Sequence, residues 1–445
     1  MPFTTDKQTQ DDLNLFGRHG TDAIYHLFQR CSTRGGAALL EEMFRNPLST
    51  AAAINQRSSR FRLFAESGMA FPFNTALFDP AETYLGNTDE RTRLADRVAS
   101  AGSRLGKLVG NDIETQQLYQ GIEALVQLLK EARRFIDTLR AAPATTGYEA
   151  EVAAITAILQ QPELAVVFET GNKLPASAMG SLDTLLRFGH WDSLLQLLRH
   201  LYLLDVYIAV AQVARERGFC FAEALPEKGG MLSLEGVFHP QLKKAVPNTL
   251  HMDGNSNLVF LTGANMAGKS TFMKSVCIAL YLAHMGFPVA AAGMRFSVLD
   301  GMYTTINLPD NLGMGASHFY AEVLRVKKMA QELQQQKKLF IVFDELFRGT
   351  NVKDACEATI AVVAGFAAKR NSLFIISTHI MEAGEVLQQR CPNIQFVYLP
   401  TGMQDNKPVY TYTVTTGISD DRHGMVIIQN ERILDILHNG NKKLI

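Results

Sequence analysis

The chain has 445 residues, 47% of them hydrophobic and 20% charged, with 43 Lys and Arg against 44 Asp and Glu for a net charge of −1. That length carries two or three domains with cores of their own, and that composition excludes a disordered, collagenous or disulfide-framework chain. With no bulk positive charge, any grip on nucleic acid has to come from local basic surface.

No uninterrupted apolar run reaches the roughly 18 residues of a membrane span. The opening "MPFTTDKQTQDDL" is polar and acidic, unlike a secretory leader. Cys31, Cys220, Cys277, Cys356 and Cys391 lack metal-ligand spacing, so buried thiols in a reducing, cytoplasmic setting are expected.

Residues 1–225 read as helical. "TDAIYHLFQRC", "GGAALLEEMFRN", "DIETQQLYQGIEALVQLLKEARRFIDTLRAA", "EVAAITAILQQ" and "SLLQLLRHLYLLDVYIAVAQVARERG" carry apolar residues at three- and four-residue spacing. The third and fifth are long enough to serve as arms or levers. "RSSRFR" (Arg57, Arg60, Arg62) and "RTRLADR" (Arg91, Arg93, Arg97) are the densest basic clusters, expected as solvated helix faces. Trp191 and the leucines from 194 to 204 are expected in the core.

The punctuation changes at "LPEKGG". Beyond it, "LVFLTG", "KLFIVFD", "SLFIIST", "IQFVYL" and "VYTYTV" read as strands, with helices at 269–286, 318–336, 354–370 and 380–390 between them. Such alternation predicts βαβ units and a largely parallel sheet. The expected organisation is a helical domain, 1–225, followed by an α/β domain, 226–445. His284 and His318 have no metal-type partner spacing and are expected in core or surface roles.

Between a strand and a helix, "GANMAGKS" fits G-x-x-x-x-G-K-[ST] with Gly263, Gly268, Lys269 and Ser270. Glycines let the backbone approach a ligand closely, and successive N–H groups with the helix N-terminus then face phosphate. Lys269 is suited to β/γ-phosphate oxygens and Ser270 to Mg²⁺. Asp344 ends the apolar run "LFIVF", where parallel sheets place ligand groups, and is expected to hold Mg²⁺ through its water shell. Glu345 follows as the expected base for an attacking water, and His379, closing a third strand, as the γ-phosphate sensor.

These motifs together resemble the MutS family of DNA mismatch-repair ATPases. "TGANMAGKSTFMKS" resembles its phosphate loop, which implies nucleotide contacts from Gly263, Ala264, Asn265, Met266, Ala267, Gly268, Lys269, Ser270 and Thr271, with Ala264 in place of the usual Pro. "DELFRGTNVKDA" is similar to the family's Walker B segment, with Arg348, Gly349, Thr350 and Asp354 in register and Phe347 where Gly is usual. "GVFHPQLKKAVPNTL" resembles the approach to the loop, implying a nucleotide role for Asn248, with Ala245 where an aromatic is common. "GASHFYAEVLRV" resembles the signature segment, implying that Ser317 completes a partner subunit's site, with Phe319 and Glu322 also matching. "YTVTTGISDDRHG" resembles the closing motif: Tyr412 falls at the adenine, and Arg422 and His423 replace a Ser-aromatic pair.

"DKQTQDDLNLF" and "LFQRCSTRGGAALLEEMFRNPLSTAAAINQR" resemble the family's core, or lever, domain, starting so early that the mismatch-reading and connector domains are expected to be missing. The resemblance implies a helical lever domain joined to a P-loop ATPase domain of ABC-ATPase type. It implies Mg²⁺-dependent ATP hydrolysis at composite sites of a homodimer, with DNA, distorted or branched rather than mismatched, as partner and no membrane. A module gated by ATP that acts on a protein or ribonucleoprotein is the alternative, which the neutral charge allows.

Overall fold

The computed structural model describes residues 2–17, 22–94, 111–141, 147–171, 173–226, 229–306, 318–347, 350–404, 407–419 and 433–440. They form two compact units, one of Phe28–Arg45 with Ser59–Val213, the other of Met1–Leu27, Asn46–Ser58 and Ala214–Ile445. The first half of the chain supplies helices α1 (Lys7–Asp12), α2 (Ile24–Phe28), α3 (Arg34–Arg45), α4 (Ala51–Ser67), α5 (Phe78–Gly86), α6 (Asn111–Ala141), α7 (Glu149–Leu159), α8 (Ala165–Glu169), α9 (Met179–Asp183) and α10 (Trp191–Arg217). The two longest, α6 and α10, fall where the apolar spacing predicts them.

Inside the helical unit the buried charges are matched. Asp183 takes Nε of Arg187 at 2.9 Å, its Nη2 at 2.8 Å and the Tyr84 hydroxyl at 2.8 Å, so both ions are desolvated with partners in place. Asp205, on α10, accepts the backbone N–H of Ser32 at 2.9 Å, that of Thr33 at 2.8 Å and the Thr33 hydroxyl at 2.7 Å, which fixes Thr33 as its Oγ1 caps α3 by accepting the Gly36 N–H at 3.0 Å. A Cβ at Gly36 would lie 2.4 Å from that carboxylate, so the approach requires glycine. Leu194, Leu197, Leu198, Leu201 and Leu204 are buried, as the spacing predicts, but Leu195 is exposed and Trp191 and Leu203 are only half-buried, so the expected core is corrected at those positions. The solvated face expected at "RSSRFR" is corrected in part: Arg60 pairs with Glu151, both side chains largely buried, and Arg57 donates to Met285 O at 3.1 Å. Helix α10 is long and apolar enough to cross a bilayer by length and composition, but two thirds of the qualifying window is buried inside protein.

The α/β unit holds β1 (Cys220–Phe221), β2 (Glu223–Leu225), β3 (Leu232–Val237), β4 (Asn248–Met252), β5 (Leu258–Gly263), β6 (Pro288–Val289), β7 (Gly293–Ser297), β8 (Gly301–Thr305), β9 (Leu339–Phe343), β10 (Leu373–Ser377), β11 (Ile394–Leu399), β12 (Thr401–Gln404), β13 (Lys407–Tyr410) and β14 (Thr415–Thr416). Between or after them run α11 (Lys269–His284), α12 (His318–Gln334), α13 (Val352–Ala367), α14 (Met381–Arg390) and α15 (Ile433–Gly440). The main sheet has the order β14-β11-β5-β10-β9-β8, parallel from β11 to β8 with antiparallel β14 at one edge. Strands β5, β9 and β10 are buried at every residue, the pattern of a sheet covered on both faces.

A second sheet, β2-β7-β3-β4, stands outside the sequence expectation. Its β3 mixes polar and apolar residues and carries an irregularity at Gly236, where φ is +59°, so no clean period marks it. The strand expected over "VYTYTV" stops at Tyr410, because Tyr412 adopts φ +57° and turns the chain. The units also interleave along the chain rather than dividing at 225: Thr4 bridges Gly301 on β8, and Thr9 and Asp12 bond Thr304. Of the five cysteines only Cys277 is fully buried, and none forms a disulfide.

His284 lies fully buried between the rings of Phe3 and Phe296, its centroid 4.3 Å and 4.9 Å from theirs. Nε2 accepts the Leu299 N–H at 3.1 Å, leaving the proton on Nδ1, 2.9 Å from Leu280 O. Burial pushes its pKa from 6.5 down to about 4. Unfolding frees the ring to bind a proton in that window, so stability falls as pH drops from 6.5 towards 4, by up to about 1.4 kcal/mol per pH unit. Urea midpoints across that range are expected to fall more gently for His284→Gln, even though that variant is less stable at neutral pH.

Candidate nucleotide site

The site forms at the carboxyl ends of β5, β10 and β9, which are neighbours in the main sheet. Strand β5 ends at Gly263, with φ +135°, and the loop closes at Gly268, with φ +99°. A Cβ would lie 3.1 Å from Leu399 O at the first position and 3.1 Å from Tyr412 Cδ1 at the second, so both positions need glycine for conformation and space. Between them Ala264, Asn265, Met266 and Ala267 form a short turn, with Met266 77% exposed at φ +67°. Helix α11 then starts at Lys269 and presents its N-terminal N–H groups to the loop.

Lys269 is 5% exposed, and its Nζ donates to Gly263 O at 2.8 Å and Ala264 O at 3.0 Å. Burial pushes its pKa down, and the charges of Asp344 and Glu345 push it back up. An ammonium held by loop carbonyls exchanges them readily for phosphate oxygens.

Asp344 sits between two serines. Ser270 Oγ donates to Oδ2 at 2.5 Å, and Ser377 Oγ donates to Oδ1. Ser377 also accepts the Glu345 N–H at 3.0 Å, and its carbonyl takes the Leu346 N–H at 3.1 Å. The pattern reading passed over Ser377; the signal it left is a serine at the end of a buried parallel strand, two residues before His379. That histidine has Nε2 2.9 Å from Glu345 Oε1, so base and sensor candidates meet.

Glu345 and Phe347 both occupy the left-handed region, at φ +54° and +62°, which costs about 1–3 kcal/mol for each non-glycine residue. Burial of the Phe347 ring, 5.7 Å from that of Phe319, helps offset it. The chain therefore puts a packed aromatic at a position whose backbone geometry suits glycine.

Beside the loop, Leu242, Ala245, Val246, Met266, Thr271 and Tyr412 line a cavity of about 400 Å³, within the range of small-molecule sites. Asn248 also lines it, but its amide is engaged with backbone: Nδ2 donates to Tyr412 O at 2.9 Å and Oδ1 accepts the Val414 N–H at 2.7 Å. It holds the turn that presents Tyr412, and so shapes the cavity wall. Asn351 caps α13 by accepting the Asp354 N–H at 2.9 Å. Ser317, Arg348, Gly349, Arg422 and His423 lie outside the described residues.

Among the described residues no group of three His, Cys, Asp or Glu side chains could hold a metal. The facing oxygens of Ser270 and Asp344 fit Mg²⁺ instead, a cation that takes few protein ligands and completes its shell with water and phosphate.

Residues 259–443 match the family model of MutS domain V. A DNA mismatch repair protein MutS of Fusobacterium nucleatum is 28% identical over 263 residues, covering 58% of this chain and 29% of that protein. One of Chlamydia pneumoniae is 28% identical over 231 residues, covering 50% and 27%, and one of Staphylococcus haemolyticus 28% over 242 residues, covering 53% and 27%. The matched stretch thus spans under a third of the length of these relatives. These matches support a relationship to the MutS family, carried by the 259–443 stretch. The mixed α/β sheet with its covering helices fits MutS domain V.

Ser377→Ala removes one bond to a carboxylate and one to a backbone N–H, a loss of about 1–3 kcal/mol. Urea denaturation is expected to show that loss; an unchanged midpoint would mean that the two bonds do not organise the strand end.

Proposed function

From these matches and the geometry of the site, we propose that this chain binds and hydrolyses ATP with Mg²⁺ here. The observation that carries the reading is the set of contacts that hold Lys269 to the loop carbonyls and link Ser270, Asp344, Ser377, Glu345 and His379 across three adjacent strand ends. The backbone N–H groups from Ala264 to Ser270 and the Lys269 ammonium hold the phosphates, and Thr271 supports the loop's exit into α11. Tyr412, Met266 and the apolar wall of the neighbouring cavity take the base, with Asn248 setting the turn. Ser270 and Asp344 would hold Mg²⁺, which when bound would supply positive charge to the phosphates.

Glu345 orients a water and accepts its proton as the water oxygen bonds to the γ-phosphorus and the bond to the β,γ-bridging oxygen breaks, releasing ADP and phosphate. His379 holds the Glu345 carboxylate in place and reports whether the γ-phosphate is present. In this reading the ATPase domain is of ABC type and works in a cytoplasmic homodimer, where Ser317 of one subunit completes the site of the other. Closure at those sites moves helical arms that hold distorted or branched DNA, and nucleotide drives the movement by binding the open and closed states unequally.

The net charge of −1 allows a second reading, in which the arms hold a protein or ribonucleoprotein. The readings separate in one assay series. ATP turnover is measured alone and with homoduplex, mismatched, four-way-junction and single-stranded DNA, with an RNA control. Stimulation by junction DNA, with affinity falling steeply as salt rises, supports the DNA reading; indifference to every DNA supports the second. Glu345→Gln is expected to lower turnover by at least about 100-fold while nucleotide still binds. Turnover at the wild-type rate in that variant would remove Glu345 from the chemistry.

A further inference from the structure

Strand β8 is an edge of the main sheet, and the N-terminal segment is fastened to it. Thr4 N donates to Asp300 O at 2.9 Å and Met302 N to Thr4 O at 2.9 Å, while a Cβ on Gly301 would sit 2.5 Å from Thr4 Oγ1. Helix α1 follows, with Asp6 as its N-cap, accepting the Thr9 N–H at 3.0 Å. Capping alone needs one oxygen and no cation. Asp6 nonetheless receives Arg325 through two guanidinium nitrogens and Lys328 Nζ at 2.8 Å, both from α12. Burial pushes its pKa up, yet the hydrogen bonds and charges of those cations hold it far below the ordinary carboxylate value, so the pairing stays charged at neutral pH.

Arg325 is buried and reaches past Asp6 to the end of β8. Its Nε donates to Thr305 Oγ1 at 3.1 Å and its Nη2 to Thr304 O at 2.7 Å. From the same helix α1, Asp12 Oδ2 accepts Thr304 Oγ1 at 2.7 Å and the Ile306 N–H at 2.9 Å, and Thr9 Oγ1 accepts the Thr304 N–H at 2.9 Å. The residues on either side of Thr305 are thus pinned, and the Thr305 carbonyl between them accepts the backbone N–H of Asp344 at 2.9 Å. The end of β8 therefore bonds directly to the backbone of the residue whose carboxylate faces Ser270.

We infer that Asp6 and Arg325 are positioning residues of the nucleotide site, setting through the end of β8 where Asp344 presents its carboxylate to the metal. The inference rests on the Mg²⁺–nucleotide reading above and adds residues that lie far from the phosphate loop in sequence. It makes the divalent ion, rather than the nucleotide itself, the ligand most sensitive to this clamp.

The test uses Mn²⁺ as a spectroscopic substitute for Mg²⁺, titrated by electron paramagnetic resonance into the full chain with a non-hydrolysable ATP analogue. Nucleotide affinity without metal and melting temperature are measured beside it. Asp6→Asn is expected to weaken Mn²⁺ about tenfold, the lower end of what contacts supporting metal ligands contribute, while metal-free nucleotide affinity holds. Asp6→Glu restores part of the loss. Thr305→Val, which removes only the Arg325 bond to that hydroxyl, moves Mn²⁺ affinity in the same direction by less and guards against a folding defect in Asp6→Asn. Unchanged Mn²⁺ affinity in both Asp6→Asn and Thr305→Val, with melting temperature lowered, makes the clamp purely structural and overturns the inference alone. A wild-type chain that binds no Mn²⁺ with nucleotide overturns the nucleotide reading and this inference with it.

Discussion

The carboxylate of Asp344, held by Ser270 on one side and Ser377 on the other, ties three separate stretches of chain into one site. Ser270 opens the helix after the phosphate loop, Asp344 ends β9 and Ser377 ends β10, so the contact exists only if the three strand ends are level. Parallel pairing supplies that level: Phe343 lies opposite Ile376 and Leu261 opposite Ser377. The sheet can be parallel because helices α11, α13 and α14 return the chain between strands and leave every residue of β5, β9 and β10 buried. Apolar burial builds the frame, and the frame makes the polar contact possible.

Around that carboxylate the chain accepts conformational and electrostatic costs. A lysine is taken out of water and given carbonyls in its place. Glu345 and Phe347 sit in backbone geometry that L-residues avoid, and Met266 and Tyr412 do the same where the loop meets the cavity. Four such residues are grouped around the loop and the neighbouring strand ends, and strain of this kind persists only where packing over-determines it. Here the packing comes from the Phe347–Phe319 contact, the Ser377 hub and the Asn248 clamp.

The elements legible in the sequence are those whose signal is local. Continuous apolar runs marked β5, β9, β10 and β11, and the helices between them needed only apolar spacing and the glycines, lysine and serine of the loop. Asp344, Glu345 and His379 could be placed because each stands at or just past the end of such a run. Contacts between distant segments left no such mark. Asp205 anchoring Thr33 ahead of α3, α1 docking on β8, and Asn248 holding the turn at Tyr412 each join residues more than 150 positions apart. The second sheet was illegible for a different reason: its strands are short, partly polar and broken by an irregularity, so neither period shows. Ser377 belongs to the first kind, a small polar residue whose importance appears only when β9 and β10 lie side by side.

Binding of the intact nucleotide at the loop is the claim on which the proposed chemistry depends, and calorimetric titration of the full chain with Mg²⁺ and a non-hydrolysable ATP analogue measures it most directly. One molecule per chain in the wild type, with the heat of binding lost in Lys269→Ala at unchanged melting temperature, is the predicted result. Saturable binding that Lys269→Ala leaves intact, or no heat at millimolar analogue in the wild type, would contradict it.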